Sequence, residues 1–188
     1  RARPWPRDHP ARAERNAYGK DLGMEEGFAT LVEALQPIRE LQRIRFLTSH
    51  PRDFTSMAIE RLSRLDKVCH AFHLPVQAGA NRILQLMNRG YTRERYFELV
   101  QTVRRCFPEA AISTDIICGF PSETEAEFEE TLELVRRVEF DTAYTYYYSP
   151  RPDTKAATLE GQLPEKVRKD RLARLIEEIN RIGLAKSQ

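Results

Sequence analysis

What these 188 residues hold little of narrows the field first. Cysteine occurs three times, at Cys69, Cys106 and Cys118. An odd, scattered set argues against a disulfide framework and for a reducing, cytoplasmic setting. No stretch approaches the roughly 18 consecutive apolar residues of a membrane span. The first residues carry charge and proline but no apolar core, so a secretory leader is not expected. Net charge is only +2, too small to announce a nucleic-acid partner by itself. No tandem repeat occurs, and no Gly-Lys-Ser/Thr follows the one glycine-bearing turn, which rules out a Walker A loop. Methionine first appears at Met24, and the chain reads as a fragment or a processed piece.

What is present is the composition of one folded, soluble domain, 41% hydrophobic and 31% charged. "MEEGFATLVEALQPI" places Phe28, Leu31, Val32 and Leu35 at helical spacing. "RIRFLT" suits a strand, "DFTSMAIERLSRL" a helix and "AFHLPV" a second strand. "NRILQLMNRG" reads as a short helix stopped at Gly90, and "TRERYFELVQTVRRCF" as a longer one stopped before Pro108. "AAISTDIICGF" is the most apolar strand, with little alternation, as expected of a strand buried on both faces. Thr124 and Glu127 form a capping box before "EAEFEETLELVRRV". "FDTAYTYYYS" is a Tyr-rich strand, and Pro164 opens a last amphipathic helix. Strands alternating with helices predict crossovers and a parallel sheet.

In parallel α/β folds ligands sit at the carboxyl ends of the strands. The segments placed there are "TSHP" (Thr48 to Pro51), "HLPVQAGAN" (His73 to Asn81), "DIICGFPSET" (Asp115 to Thr124) and "YSPRP" (Tyr148 to Pro152). All four are polar and punctuated by Gly or Pro. Cys69, His70 and His73 invite a metal reading, but a strand turns His70 away from the other two. A buried thiol beside a pocket-facing His73 is the better account. The "GFPSET" turn suits an anion at a helix N-terminus or simply a tight turn with a cap, and both readings stand. The tyrosines of "AYTYYYSPR" suit base stacking or a strand half in the core and half on the surface. The basic residues of the last helix, Arg171 and Arg174 among them, alternate with acids and read as a solvated face.

Taken together, "NAYGKD" (Asn16 to Asp21), "RIRFLTSHPRDFT" (Arg43 to Thr55), "HLPVQAGANRILQLMNRGYTRERY" (His73 to Tyr96), "TDIICGFPSETEAEFEETL" (Thr114 to Leu132) and "YSPRPDTKAA" (Tyr148 to Ala157) resemble the radical S-adenosylmethionine (SAM) methylthiotransferases. The resemblance is closest to the MiaB-type branch that modifies tRNA and covers Asn16 to Gln188. It implies an α/β fold: a partial (β/α) barrel of the radical SAM type, parallel strands with outer helices, its N-terminal strands missing. The family's activity is methylthiolation of an isopentenylated adenosine beside the anticodon. The implied cofactors are SAM and two 4Fe-4S clusters, and the implied partner is tRNA. The resemblance also implies a cytoplasmic monomer with no membrane association. Ser49, His50, Gln77, Gly79, Asn81, Asp115 and Gly119 are the cofactor-binding candidates it points to; no catalytic residue and no metal ligand is assigned.

Departures from the family pattern matter as much. Gln77-Ala78-Gly79-Ala80 stands where the family has Gln-Ser-Gly-Ser, and Ser122 replaces its second turn glycine. The Cys-x3-Cys-x2-Cys loop that holds the SAM-cleaving cluster is absent, as are the sulfur-donating and TRAM domains. The isolated chain is therefore expected to be inactive, and marginally stable because the edge at "RIRFLT" is unpaired. A non-catalytic RNA-binding module, a decayed remnant and the branch acting on a ribosomal protein are the competing readings. Residues 1–15 match nothing in the family. Their codons permit a reading, one nucleotide later, of Leu-Gly-Gln-Asn before Asn16, so a frame-shifted segment is expected there.

Overall fold

The computed structural model describes residues 18–47 and 50–186. Residues 1–15, with the expected frame shift, and Ser49 lie outside them. Among the described residues the α-helices and strands run in the order α1 (Gly27–Leu35), α2 (Ser56–Leu62), β1 (Ala71–His73), α3 (Asn81–Leu86), α4 (Arg93–Cys106), β2 (Ala111–Cys118), α5 (Glu125–Val138), β3 (Thr142–Tyr147) and α6 (Glu165–Lys186). The strands form one parallel sheet in the order β1-β2-β3. Helices cover one side of it, as the alternation of elements requires.

Local chemistry accounts for the helix starts. Thr55, Thr92 and Thr124 each cap a helix by accepting from the backbone three residues on. At α5 the expected capping box is complete, because Glu127 returns a bond to the Thr124 N–H. The core under the sheet is built from Phe54, Phe72, Phe107, Ile112, Ile116, Phe128 and their neighbours.

Two strand expectations need correction. "RIRFLT" does not form a strand; it makes one parallel bridge, Ile44 with Val68, through Ile44 N to Lys67 O and Cys69 N to Ile44 O. A single bridge is too little pairing to make it a strand. β2 is also not buried on both faces. Its residues alternate strictly: Ile112, Thr114, Ile116 and Cys118 are buried, whereas Ser113, Asp115 and Ile117 are half-exposed. Helices cover only the first set, so the opposite face stays open.

β1 contains one extra residue. Ala71 to His73 pair in step with Ala111 to Ser113, but the next bridge joins Gln77 to Ile116, four residues on against three. This is a bulge, and Gln77 takes a left-handed φ of 72° within it. The backbone groups it displaces are satisfied by side chains. Tyr96 donates to Leu74 O (2.8 Å) and Tyr91 to Pro75 O and Val76 O (both 3.1 Å). Thr114 donates to Leu74 O and accepts from Val76 N.

Candidate functional site

The register of the sheet sets the open face. Ser113 lies beside Thr142, Asp115 beside Tyr144 and Ile117 beside Tyr146, with His73 next to Ser113. His73 is held from both ring nitrogens, Nδ1 at 3.0 Å from Ser113 Oγ and Nε2 at 3.3 Å from Asp115 Oδ2. The Tyr144 ring stands edge-on, 6.0 Å away. His70 points elsewhere, onto the Phe107 ring at 4.9 Å, so the two histidines diverge as strand geometry requires. Among the described residues no group of three or more His, Cys, Asp or Glu could hold a metal. Cys118 lies in the core, and burial pushes its thiol up to about 12, which keeps it protonated.

At the carboxyl ends of β2 and β3 a cavity of about 690 Å³ opens. Ile117, Phe120 and Tyr146 to Tyr148 form its apolar wall, and Arg89, Arg151 and Lys155 stand at its rim. Phe120 and Tyr148 meet edge to face at 5.1 Å.

The turn that shapes this end of the sheet is locked from beneath. Gly119 adopts φ 70°, and a Cβ there would stand 2.6 Å from Arg168 Cγ, so only glycine fits. Its N–H donates to Glu123 Oε2 (2.7 Å), which also accepts from Arg171 Nη1 (2.7 Å). Burial pushes the Glu123 carboxyl up, against the pull of these two donors. Arg171 and Arg168 correct the expectation of a wholly solvated α6. Arg171 is buried, and Arg168 donates to Tyr148 O while its guanidinium lies 5.6 Å from the Tyr147 ring centre. Their spacing of three residues on a helix, facing a strand end, was the available signal.

The residues singled out from the sequence do not gather at one point. Asp115 is on the open face. Gln77 is buried, its backbone bonded to Asp115 O and Ile117 N. Gly79 faces α5: its N–H donates to Thr131 Oγ1, and a Cβ would meet Thr131 Cα at 2.4 Å. Asn81 binds α4, accepting from Arg93 N (2.7 Å) and donating to Glu94 (3.0 Å). The His50 ring packs on Tyr91 at 5.6 Å. Ser113, Tyr148, Arg151 and Lys155, none of them named as a cofactor contact, are closer to the two open regions.

Known proteins place this geometry. The model of the radical SAM superfamily matches residues 18–135. A tRNA-2-methylthio-N(6)-dimethylallyladenosine synthase from Moorella thermoacetica is 57% identical over 173 residues, covering 92% of this chain and 39% of that protein. Proteins of the same name from Pelotomaculum thermopropionicum and a Thermoanaerobacter species are 50% and 53% identical, again over 92% of this chain and 39% and 36% of theirs. The chain thus spans about two-fifths of the length of these relatives. Coproporphyrinogen III oxidase from Escherichia coli, described as a radical SAM enzyme, shares the fold. The TM-score is 0.63 at 20% identity, over 82% of this chain and 37% of that one.

Proposed function

This chain belongs to the radical SAM superfamily, and on that premise we propose that it forms the carboxyl-side part of the barrel of a tRNA methylthiotransferase. The observation that carries the reading is the 57% identity to the Moorella protein across 92% of the chain. The product of the complete enzyme is a 2-methylthio group on an isopentenylated adenosine of the anticodon loop. The setting is cytoplasmic and the protein monomeric.

The residues present fit SAM only in part, and the clusters not at all. SAM carries an ammonium and a sulfonium against one carboxylate. Asp115, half-exposed on the open face and braced by His73, offers a carboxylate to such a cation. When bound, SAM supplies a sulfonium whose carbon–sulfur bond is the source of the radical. Cys69, Cys106 and Cys118 are too far apart in sequence for a cluster loop, and the Cys118 thiol is buried. This chain holds no site for the cluster, so the isolated piece binds and orients rather than cleaves.

His73 and Ser113 hold Asp115 in place, the bulge in β1 brings Gln77 against β2, and the Glu123–Arg171 pair keeps the Gly119 turn in shape. Support for an Arg-rich RNA-binding helix is weaker, because α6 directs Arg171 and Arg174 to Glu123 and Glu125.

A chimera tests the reading. The matching segment of the Moorella enzyme is replaced by residues 16–188, and tRNA nucleosides are analysed by mass spectrometry. Methylthiolated adenosine is the expected product. A folded, SAM-binding chimera that leaves tRNA unmodified would overturn the assignment.

A further inference from the structure

The cleft at the ends of β2 and β3 has a charge pattern of its own. Among the residues lining it are three cations, Arg89, Arg151 and Lys155, and no carboxylate. Elsewhere several arginines of the helices are paired with acids, as Arg82 is with Glu127, Arg93 with Glu130 and Arg174 with Glu125. Arg151 and Lys155 are exposed and, among the described residues, in no ion pair. Their backbone is nonetheless fixed, since Thr154 bonds back to Arg151 O through both N–H and hydroxyl, and Lys155 opens a short 3-10 turn. Behind them stand flat apolar surfaces, with Tyr146 54% exposed on the open face and Phe120 packed on Tyr148. The Tyr148 hydroxyl is buried at this wall and makes no hydrogen bond.

A cationic rim over an aromatic wall selects a ligand that is anionic at one end and planar at the other. SAM, with two positive centres, is the wrong charge for this rim. We infer that the cleft seats a nucleotide of the RNA, its base against Tyr146 and its phosphate between Arg151 and Lys155. This rests on the tRNA reading above and goes beyond it by naming where the polynucleotide enters. Base–aromatic stacking is tolerant of sequence, and phosphate contacts release counterions, so each half of the site has its own signature. Arg89, in the same lining, adds to the positive field.

The test is the binding of a fluorescent anticodon stem-loop RNA to the 188-residue chain, measured by anisotropy across a salt series. Arg151 and Lys155 are exposed, so Arg151→Gln with Lys155→Gln should leave the fold intact, as circular dichroism will verify. The salt slope is expected to fall by about 0.7, the value for one phosphate neutralised on a single strand. Tyr146→Ala should weaken binding about tenfold or more at every salt concentration, with the slope unchanged. Arg39→Gln with Arg64→Gln, outside the cleft, serves as the control and should change neither. AMP should compete where adenosine does not if a free phosphate suffices; if neither competes while RNA binds in the cleft, the site needs the polymer. Equal effects of the cleft and control pairs would overturn the inference and leave the tRNA reading standing. A loss of SAM binding, rather than of RNA binding, in the cleft variant would assign the cleft to the cofactor and overturn it as well. Absence of RNA affinity in the wild-type chain would also overturn it, and activity of the chimera would then decide the tRNA reading separately.

Discussion

Arg171 on α6 and Glu123 in the loop after β2 form a buried ion pair, Nη1 to Oε2 at 2.7 Å, across 48 residues of sequence. Their side chains are 5% and 1% exposed. Arg171 also donates to the Glu123 carbonyl at 2.9 Å. Removing one partner leaves a charge in the core, which costs about 3–5 kcal/mol. Arg171→Met should therefore lower the urea midpoint sharply. Glu123→Gln added to Arg171→Met should recover most of the loss, because the amide oxygen still accepts from Gly119 and no charge is stranded. Equal stability of the single and double variants would refute the account.

Thr114 joins two strands with one hydroxyl, bonding Leu74 O at 2.9 Å and Val76 N at 3.0 Å. Thr114→Val keeps the shape and removes both bonds. The buried Val76 N–H then lacks a partner, at about 1–3 kcal/mol, while Leu74 O keeps its bond from Tyr96. Denaturant unfolding should show that loss, and hydrogen exchange should show faster exchange at the Val76 amide.

Ser122, where the family has glycine, sits at φ 63°. That conformation strains a side chain but not glycine. Ser122→Gly should raise stability by up to about 1 kcal/mol, less whatever the exposed Arg82-to-Ser122 Oγ bond contributes. A fall in thermal midpoint would mean that this bond outweighs the strain.

The bond from Arg82 holds the Glu127 carboxyl down to about 2, against an ordinary value of 4.5. A group with a lowered folded-state pKa stabilises the fold above its unfolded pKa and loses that contribution as pH falls towards the folded one. The wild-type chain should thus lose stability between about pH 4.5 and 2 from this group. In Arg82→Ala the decline over that window should be shallower, and the variant less stable at pH 7 by about 1 kcal/mol or less, the scale of an exposed pair. Parallel slopes for the two proteins would rule the pairing out as a cause.

Asp115 is the carboxylate of the open face. Asp115→Asn keeps the bond to His73 available and removes the charge. SAM affinity by calorimetry should fall about tenfold, the equivalent of ~1.4 kcal/mol for one charge-assisted contact. Unchanged affinity would place the cation of SAM elsewhere.

Much of this molecule is legible in the sequence, and the failures have physical causes. Helix caps are local, so Thr124 with Glu127 could be read directly. Whether "RIRFLT" becomes a strand depends on a neighbour for its edge, which propensity does not report. The open face of β2 is hidden in the sequence because Ala111 and Ile117 are apolar although neither is buried, and apolar character alone does not report which faces are covered. Arg171 looked like one more surface cation, and only its partner 48 residues away explains its burial. Asn81, attractive as a ligand contact, turned out to cap the next helix, a role invisible until α4 is placed.

The bulge in β1 has a consequence for how this segment tolerates change. Along a regular strand His73 and Gln77, four positions apart, would share a side. The additional residue breaks that odd–even rule: His73 keeps company with Ser113 on the open side, whereas Gln77 meets Ile116, whose side chain is buried. Parity, not residue type, decides which side chains reach the lumen. Deleting any one of Leu74, Pro75 or Val76 would leave three steps against three, abolish the bulge and its left-handed turn with Gln77 still opposite Ile116, and disturb the carbonyls that the phenols of Tyr91 and Tyr96 bond. The number of residues in "HLPVQ" is therefore under tighter constraint than the identity of most of them.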